Sequence, residues 1–281
     1  MSRFGISAAL LTPFFDDGSV NSVGFANHAA DLLSRGLGSV TAFGTSGEGA
    51  SLSAAERLQG LKSLIEGGVP ASKLVSAVYA TSIHEGIEQV EAGHALGIRT
   101  FLLVPPFYFK GVGDEGVFDW HALLLSSCSP ETEFVLYHIP QVTGVSLSPE
   151  LVSRLVSVFP GRIRGIKDSS GDWDTAQSYL ALDSVPVLIG DERLLHRGVA
   201  LGAAGAISGM ANLYPERMMK LFESGNEDAD LSAEVTRIVS QPVVPALKAV
   251  LARQSGSEGW ETVRPPLTTL NDEAKAALLL A

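Results

Sequence analysis

The sequence predicts an α/β protein, a closed (β/α)8 TIM barrel followed by a C-terminal helical extension. Three observations carry that expectation. Short β-branched or apolar runs alternate with longer stretches of helical periodicity, the pattern of parallel strands joined by crossover helices. Eight such units fit within residues 1–224, which suits a closed barrel better than an open doubly wound sheet. Polar and glycine residues collect where the strand-like runs end, the edge on which barrels place their chemistry.

The strands are expected, in order, near SAALLTPF (7–14), SVTAFGT (39–45), KLVSAVYA (73–80) and TFLLVPP (100–106), then EFVLYHIP (133–140), RIRGIKDS (162–169), VPVLIGDE (185–192) and GAISGMAN (205–212). Helix starts between them carry capping chemistry. Ser53 with Glu56 fits a capping box, and Ser148 precedes Pro149 at a first helical position. Beyond the barrel, LSAEVTRIVSQPVVPALKAVLARQ and NDEAKAALLLA read as appended helices. The expected organisation is a catalytic barrel over 1–224 and a helical extension over 225–281.

Composition narrows the function classes. With 281 residues and 46% hydrophobic content the chain can build one large core. A formal charge of -11 argues against nucleic acid, because phosphate recognition depends on Lys and Arg displacing counterions. A single cysteine, Cys128, has no internal partner for a disulfide. The opening MSRFGISAALLTPFF lacks the separate apolar core and cleavage site of a signal peptide, and there is no apolar run of about 18 residues to span a bilayer. The expectation is a cytoplasmic protein with no membrane partner.

Lys167 raises the sharpest question. It sits late in an apolar run, with Gly165 and Ile166 before it and the polar turn DSSGD after it. That context fits a solvated face poorly. A lysine desolvated in a barrel mouth can offer a neutral amine to a carbonyl and form a Schiff base. Tyr137, near the end of the preceding strand, is either a packed core tyrosine or a phenol one strand away that shuttles protons. In GTSGE (44–48), Thr45 and Ser46 supply hydroxyls, and the loop supplies backbone N–H groups suited to a carboxylate.

Other features count for less. GVGDEG (111–116) matches a dinucleotide-binding spacing, but it does not directly follow a strand, and Asp114 and Glu115 would repel a pyrophosphate. The six histidines show no paired metal-ligand spacing. Asp191 and Glu192, if adjacent on a strand, face opposite ways, which favours sugar-hydroxyl binding by one of them over joint acid-base work.

Together the motifs ALLTPF, DGSV, GTSGE, PPFY, YHIPQVTG, GIKDSSGD, QPVVPALKAVL and RPPLTTL, spread from end to end, resemble the dihydrodipicolinate synthase and N-acetylneuraminate lyase superfamily. These are class I aldolases that bind pyruvate as a Schiff base. The resemblance implies that Lys167 is the Schiff-base lysine and Tyr137 the proton-relay phenol. Thr45, Ser46 and Gly47 would hold the pyruvyl carboxylate, with Ser46 standing where many relatives have a second threonine. Tyr108 falls where a tyrosine reaches into a neighbouring subunit's site, which implies a homo-oligomer, dimer or tetramer. Ile207 matches a position whose carbonyl lies near substrate, and Gly190, Asp191 and Glu192 resemble a stretch that contacts a substrate polyol. No metal or organic cofactor is implied beyond the covalent Schiff base on Lys167.

The chain departs from the synthase branch at Val142, where that branch carries an arginine for the second substrate's carboxylate; Arg193 is one residue that could replace it. The expectation is therefore a lyase acting on 2-oxo acids, by aldol cleavage or dehydration of a 2-keto-3-deoxy sugar acid. The alternative is 4-hydroxy-tetrahydrodipicolinate synthase, condensing pyruvate with aspartate semialdehyde. A noncatalytic small-molecule binding protein on the same barrel is disfavoured by Lys167, Tyr137 and Thr45 occurring together.

Overall fold

The computed structural model describes residues 3–279. Eight strands close in sequence order: β1 Gly5–Ala9, β2 Ser39–Ala42, β3 Leu74–Val78, β4 Thr100–Leu103, β5 Glu133–His138, β6 Ile163–Asp168, β7 Val187–Ile189 and β8 Gly205–Ser208. Each pairs in parallel with the next, and β8 returns to β1 through Gly5↔Gly205 and Ser7↔Ile207. That closure depends on small residues, since a Cβ on Gly205 would lie 2.0 Å from the Gly5 carbonyl oxygen.

Between the strands run α1 Ser22–Ser34, α2 Ala54–Glu66, α3 Ile83–Ala95, α4 Asp114–Ser127, the short α5 Pro140–Thr143, α6 Pro149–Val158, α7 Trp173–Leu180 and α8 Glu192–Ala200. Past β8 come α9 Pro215–Ser224, α10 Ala229–Val239, α11 Val243–Ser255 and α12 Asp272–Leu279. Ser53 and Glu56 form both halves of the capping box on α2, and Ser148 caps α6 by accepting from Leu151 N with Pro149 at its start.

Strand alternation divides the core in two. Val75, Ala77, Leu102, Val135, Tyr137, Leu188 and Ile207 fill the barrel interior, with Ser7 and Thr41 joined by a 2.9 Å hydrogen bond inside it. Leu74, Val78, Phe101, Leu103, Phe134 and Leu136 face outward onto helix residues such as Phe25, Leu32 and Leu124. Burying each of these large side chains contributes about 1.5–3 kcal/mol.

The strands are shorter than the apolar runs suggested. β1 begins at Gly5 and stops at Ala9. After it, Leu11 N turns to the Asn212 side chain, and Pro13 has no N–H to donate. β7 stops at Ile189 because Asp191 accepts from Arg193 N and starts α8. Asp191 and Glu192 are therefore a cap and a first helical turn, not opposite faces of a strand. β8 ends at Ser208, where Met210–Asn212 tighten into a 3-10 turn.

Candidate active site

The C-terminal ends of β2, β5, β6, β7 and β8 surround a cavity of about 420 Å³. Lys167 and Tyr137 are directly paired in the β5–β6 register, so both project inward at one level. Lys167 is only 5% exposed. Its Nζ donates to Tyr137 Oη at 3.3 Å and lies 4.3 Å from the ring centroid. Tyr137 Oη in turn lies 3.2 Å from Thr45 Oγ1. Burial alone would raise the Tyr137 pKa, but the Lys167 charge and hydrogen bonds from Thr45, Lys167 and Ser169 outweigh it and bring the phenol below its ordinary value. The trio is a hydrogen-bonded path between an amine, a phenol and a hydroxyl, with an oxygen poised to exchange protons.

The loop after β2 owes its shape to buried charge. Glu48 adopts a left-handed backbone (φ 56°), and its carboxylate pairs with the Lys248 ammonium of α11, both side chains being fully buried. Lys248 Nζ also donates to Thr262 O at 2.6 Å, and Glu48 Oε2 accepts from Arg264 N at 2.8 Å. The C-terminal segment thus grips the loop that carries Thr45 and Ser46.

The remaining expected residues divide. Thr45, Ser46, Ile207, Gly190, Asp191 and Glu192 all line the cavity. Gly47 does not. It is buried beneath the loop, with its carbonyl accepting from Thr12 Oγ1 at 2.7 Å. Asp191 is committed to Arg193, which donates to it through Nε at 3.0 Å and Nη2 at 2.7 Å. Glu192 turns inward to accept from the Ser208 hydroxyl and Met210 N, and burial holds its carboxyl above the usual range. Tyr108 lies outside the cavity, on the β4–α4 loop, 75% exposed and edge-on to Phe109.

Two contributions escaped the sequence. Val235, Ile238, Val239, Val243 and Leu247 of α10 and α11 supply an apolar part of the cavity's lining, to which Gln141, Ser169 and Ser170 also contribute. Their helical spacing was visible, but nothing local says that a C-terminal helix folds back over a barrel mouth. The second is Tyr79, one residue past β3, whose alternation with Val75 and Ala77 would have placed it inward. Among the described residues no group of three or more His, Cys, Asp or Glu side chains is arranged to hold a metal, and no helix is long and apolar enough to cross a membrane.

The profile of the dihydrodipicolinate synthetase family matches residues 3–280. The chain belongs to that family. Its members are aldolase-type lyases, and so is this protein. Among curated relatives it is 34% identical to an uncharacterised DapA-like lyase of Chloroflexus aurantiacus, over 99% of this chain and 95% of that one. Among solved structures, dihydrodipicolinate synthase from Agrobacterium tumefaciens superposes with a TM-score of 0.95 at 40% identity, covering 98% of this chain and 97% of that one. A prophage protein of Escherichia coli K12 belonging to the family, solved in complex with pyruvate, gives a TM-score of 0.84 at 25% identity over 98% and 95% of the two chains. Family membership and the closed barrel agree with the expectation drawn from the strand-end motifs.

Proposed function

We propose that the protein is a Schiff-base lyase of 2-oxo acids, acting by aldol cleavage or dehydration on a 2-keto-3-deoxy sugar acid. The observation that carries the reading is the Lys167–Tyr137–Thr45 chain at the cavity floor. Lys167 attacks the C2 ketone, water leaves, and the resulting iminium draws electrons from C3. Tyr137 takes the proton of the C4 hydroxyl as the C3–C4 bond breaks, and a pyruvyl enamine and an aldehyde result. Protonation at C3 and hydrolysis return the lysine and release pyruvate. In dehydration the same iminium acidifies C3–H, and the C4 hydroxyl leaves as water. In this reading the loop of Thr45 and Ser46, both of which line the cavity, holds the oxo acid's carboxylate through its backbone N–H groups and the Ser46 hydroxyl, and leaves the Thr45 hydroxyl to Tyr137. The pyruvate complex of the prophage relative supports this direction.

A hydroxylated substrate is favoured by the polar flank of Gln141, Ser169 and Ser170, and by the nonpolar Val142 of α5 among the lining residues. Among the described residues the one arginine lining the cavity, Arg193, is already bidentate to Asp191, so it offers a second carboxylate little net charge. The synthase reaction is the second reading, favoured by the 40% identity to the Agrobacterium enzyme. Tyr108 we place in a neighbouring subunit's site, within an oligomer built across the exposed Phe107, Tyr108 and Phe109.

Borohydride reduction in the presence of pyruvate, followed by mass spectrometry, tests the chemistry. A pyruvyl adduct on Lys167, lost in Lys167→Ala, is the expected result; an unmodified Lys167 overturns the reading. Turnover of 2-keto-3-deoxy acids then separates the two substrates, and efficient condensation of pyruvate with aspartate semialdehyde would refute the sugar-acid reading.

A further inference from the structure

A second phenol packs against the barrel interior beside the site. Tyr79 continues the inward series Val75, Ala77 of β3 and packs in the same interior cluster as Tyr137. Its surroundings fix it closely. The ring lies close against the loop after β2: a Cβ on Gly49 would come 1.8 Å from the Phe43 carbonyl oxygen and 2.7 Å from Tyr79 Cε2. The Arg57 guanidinium carbon lies 5.8 Å from the ring centroid. Gln89 brackets the backbone, accepting from Tyr79 N at 3.2 Å and donating to Tyr79 O at 2.8 Å.

Yet the Tyr79 hydroxyl is buried without a hydrogen-bond partner. The Thr45 hydroxyl is near enough to act on it without completing a hydrogen bond, and Tyr137 is the neighbouring phenol. A buried hydroxyl with no partner is costly, and phenylalanine would fill the same space without that cost.

We infer that Tyr79 is a positioning residue of the reaction, its hydroxyl donating to Thr45 Oγ1 during turnover and so fixing the direction of the hydrogen-bond chain that ends on Tyr137. This rests on the Schiff-base reading above. Thr45 has one hydroxyl proton. Once Tyr79 donates to its oxygen, that proton is directed to Tyr137 Oη, 3.2 Å away, where Lys167 Nζ already donates at 3.3 Å. Donors then converge on one phenol oxygen and favour its deprotonated form, each bond polarising the next. The surroundings separate the two phenols accordingly. Burial and the neighbouring Tyr137 raise the Tyr79 pKa, against smaller opposing effects of Thr45 and Arg57, and keep it a donor. Tyr137 is drawn down by Lys167, Thr45 and Ser169 against its own burial. Two like groups placed in unlike surroundings take the roles of donor and base.

Pyruvate alone is a sufficient probe. Deuterium incorporation at its methyl carbon in D2O, followed by NMR, reports iminium–enamine exchange without a second substrate. Wild type, Tyr79→Phe, Thr45→Val and the double variant are compared. Tyr79→Phe should keep the borohydride-trapped adduct and a thermal midpoint at or above wild type. Its exchange rate should fall about tenfold, and the limb of the pH profile governed by Tyr137 should move to higher pH. In the Thr45→Val background the same substitution should change the rate by less than about twofold, because the intervening link is gone. An unchanged rate and limb in Tyr79→Phe, losses that multiply in the double variant, or a clear drop in its thermal midpoint would each overturn the inference. Absence of a trapped adduct in wild type is a different outcome: it removes the Schiff-base reading, and the inference with it.

Discussion

Replacing Lys248 by methionine removes the ammonium from the buried pair while keeping most of the side chain's length. Glu48 then keeps a charge with no counterion in a site where neither side chain reaches solvent, and Thr262 O loses its 2.6 Å donor. Breaking one half of such a pair costs about 3–5 kcal/mol, a large share of the roughly 5–15 kcal/mol that holds a domain together. At about 2–4 °C per kcal/mol for a chain of this size, the thermal midpoint should fall by roughly 6–20 °C. Pyruvate deuterium exchange measured well below that midpoint should fall as well, since Thr45 and Ser46 ride on the loop that Glu48 anchors. Adding Glu48→Gln removes the stranded charge, so the double variant should recover more than half of the lost stability. Differential scanning calorimetry checks both. A Lys248→Met midpoint within about 2 °C of wild type would refute the claim that the pair holds the loop.

Acid should destabilise the fold through two histidines. Burial lowers the pKa of both His121 and His138 from 6.5 to about 4. The unfolded chain therefore binds the extra protons first, so their contribution is complete above about pH 6.5 and is lost as the pH falls toward 4. A denaturation midpoint unchanged between pH 7 and pH 4.5 would contradict this. The oligomer placement of Tyr108 is checked by complementation. Mixed subunits of inactive Lys167→Ala and weakened Tyr108→Phe should regain activity after exchange, because some sites receive an intact Lys167 from one subunit and an intact Tyr108 from another. Recovery no greater than the sum of the two alone would place Tyr108 outside the neighbour's site.

Much of the barrel was written locally. Periodicity separated strands from helices, and Ser53, Glu56 and Ser148 announced helix starts that the structure contains. Strand ends were less legible, because an apolar run continues past the point where its backbone leaves the ladder; Leu10 to Phe14 are buried but lie outside β1. The site divides the same way. Lys167 and Tyr137 stood out because each ends an apolar run on adjacent strands, and their pairing follows directly from register. Tyr79 had the same signal in its alternation, masked by a local context that looked like ordinary core. The α10–α11 wall depends on contacts between distant parts of the chain, and the grip of Lys248 on Glu48 spans 200 residues, which no local pattern encodes.

The apolar wall also separates two properties that could have been entangled. In the proposed reaction the bond-making groups Lys167 and Tyr137 sit on strands, whereas an apolar part of the same cavity's lining comes from α10 and α11. Val239 and Val243 are each about two-fifths exposed, so their replacement disturbs little packing. Selection, natural or in the laboratory, can therefore change which molecules are accepted at positions that bear little of the fold's stability, while the lysine and its phenol stay untouched. One scaffold can diversify in appetite without reinventing its reaction.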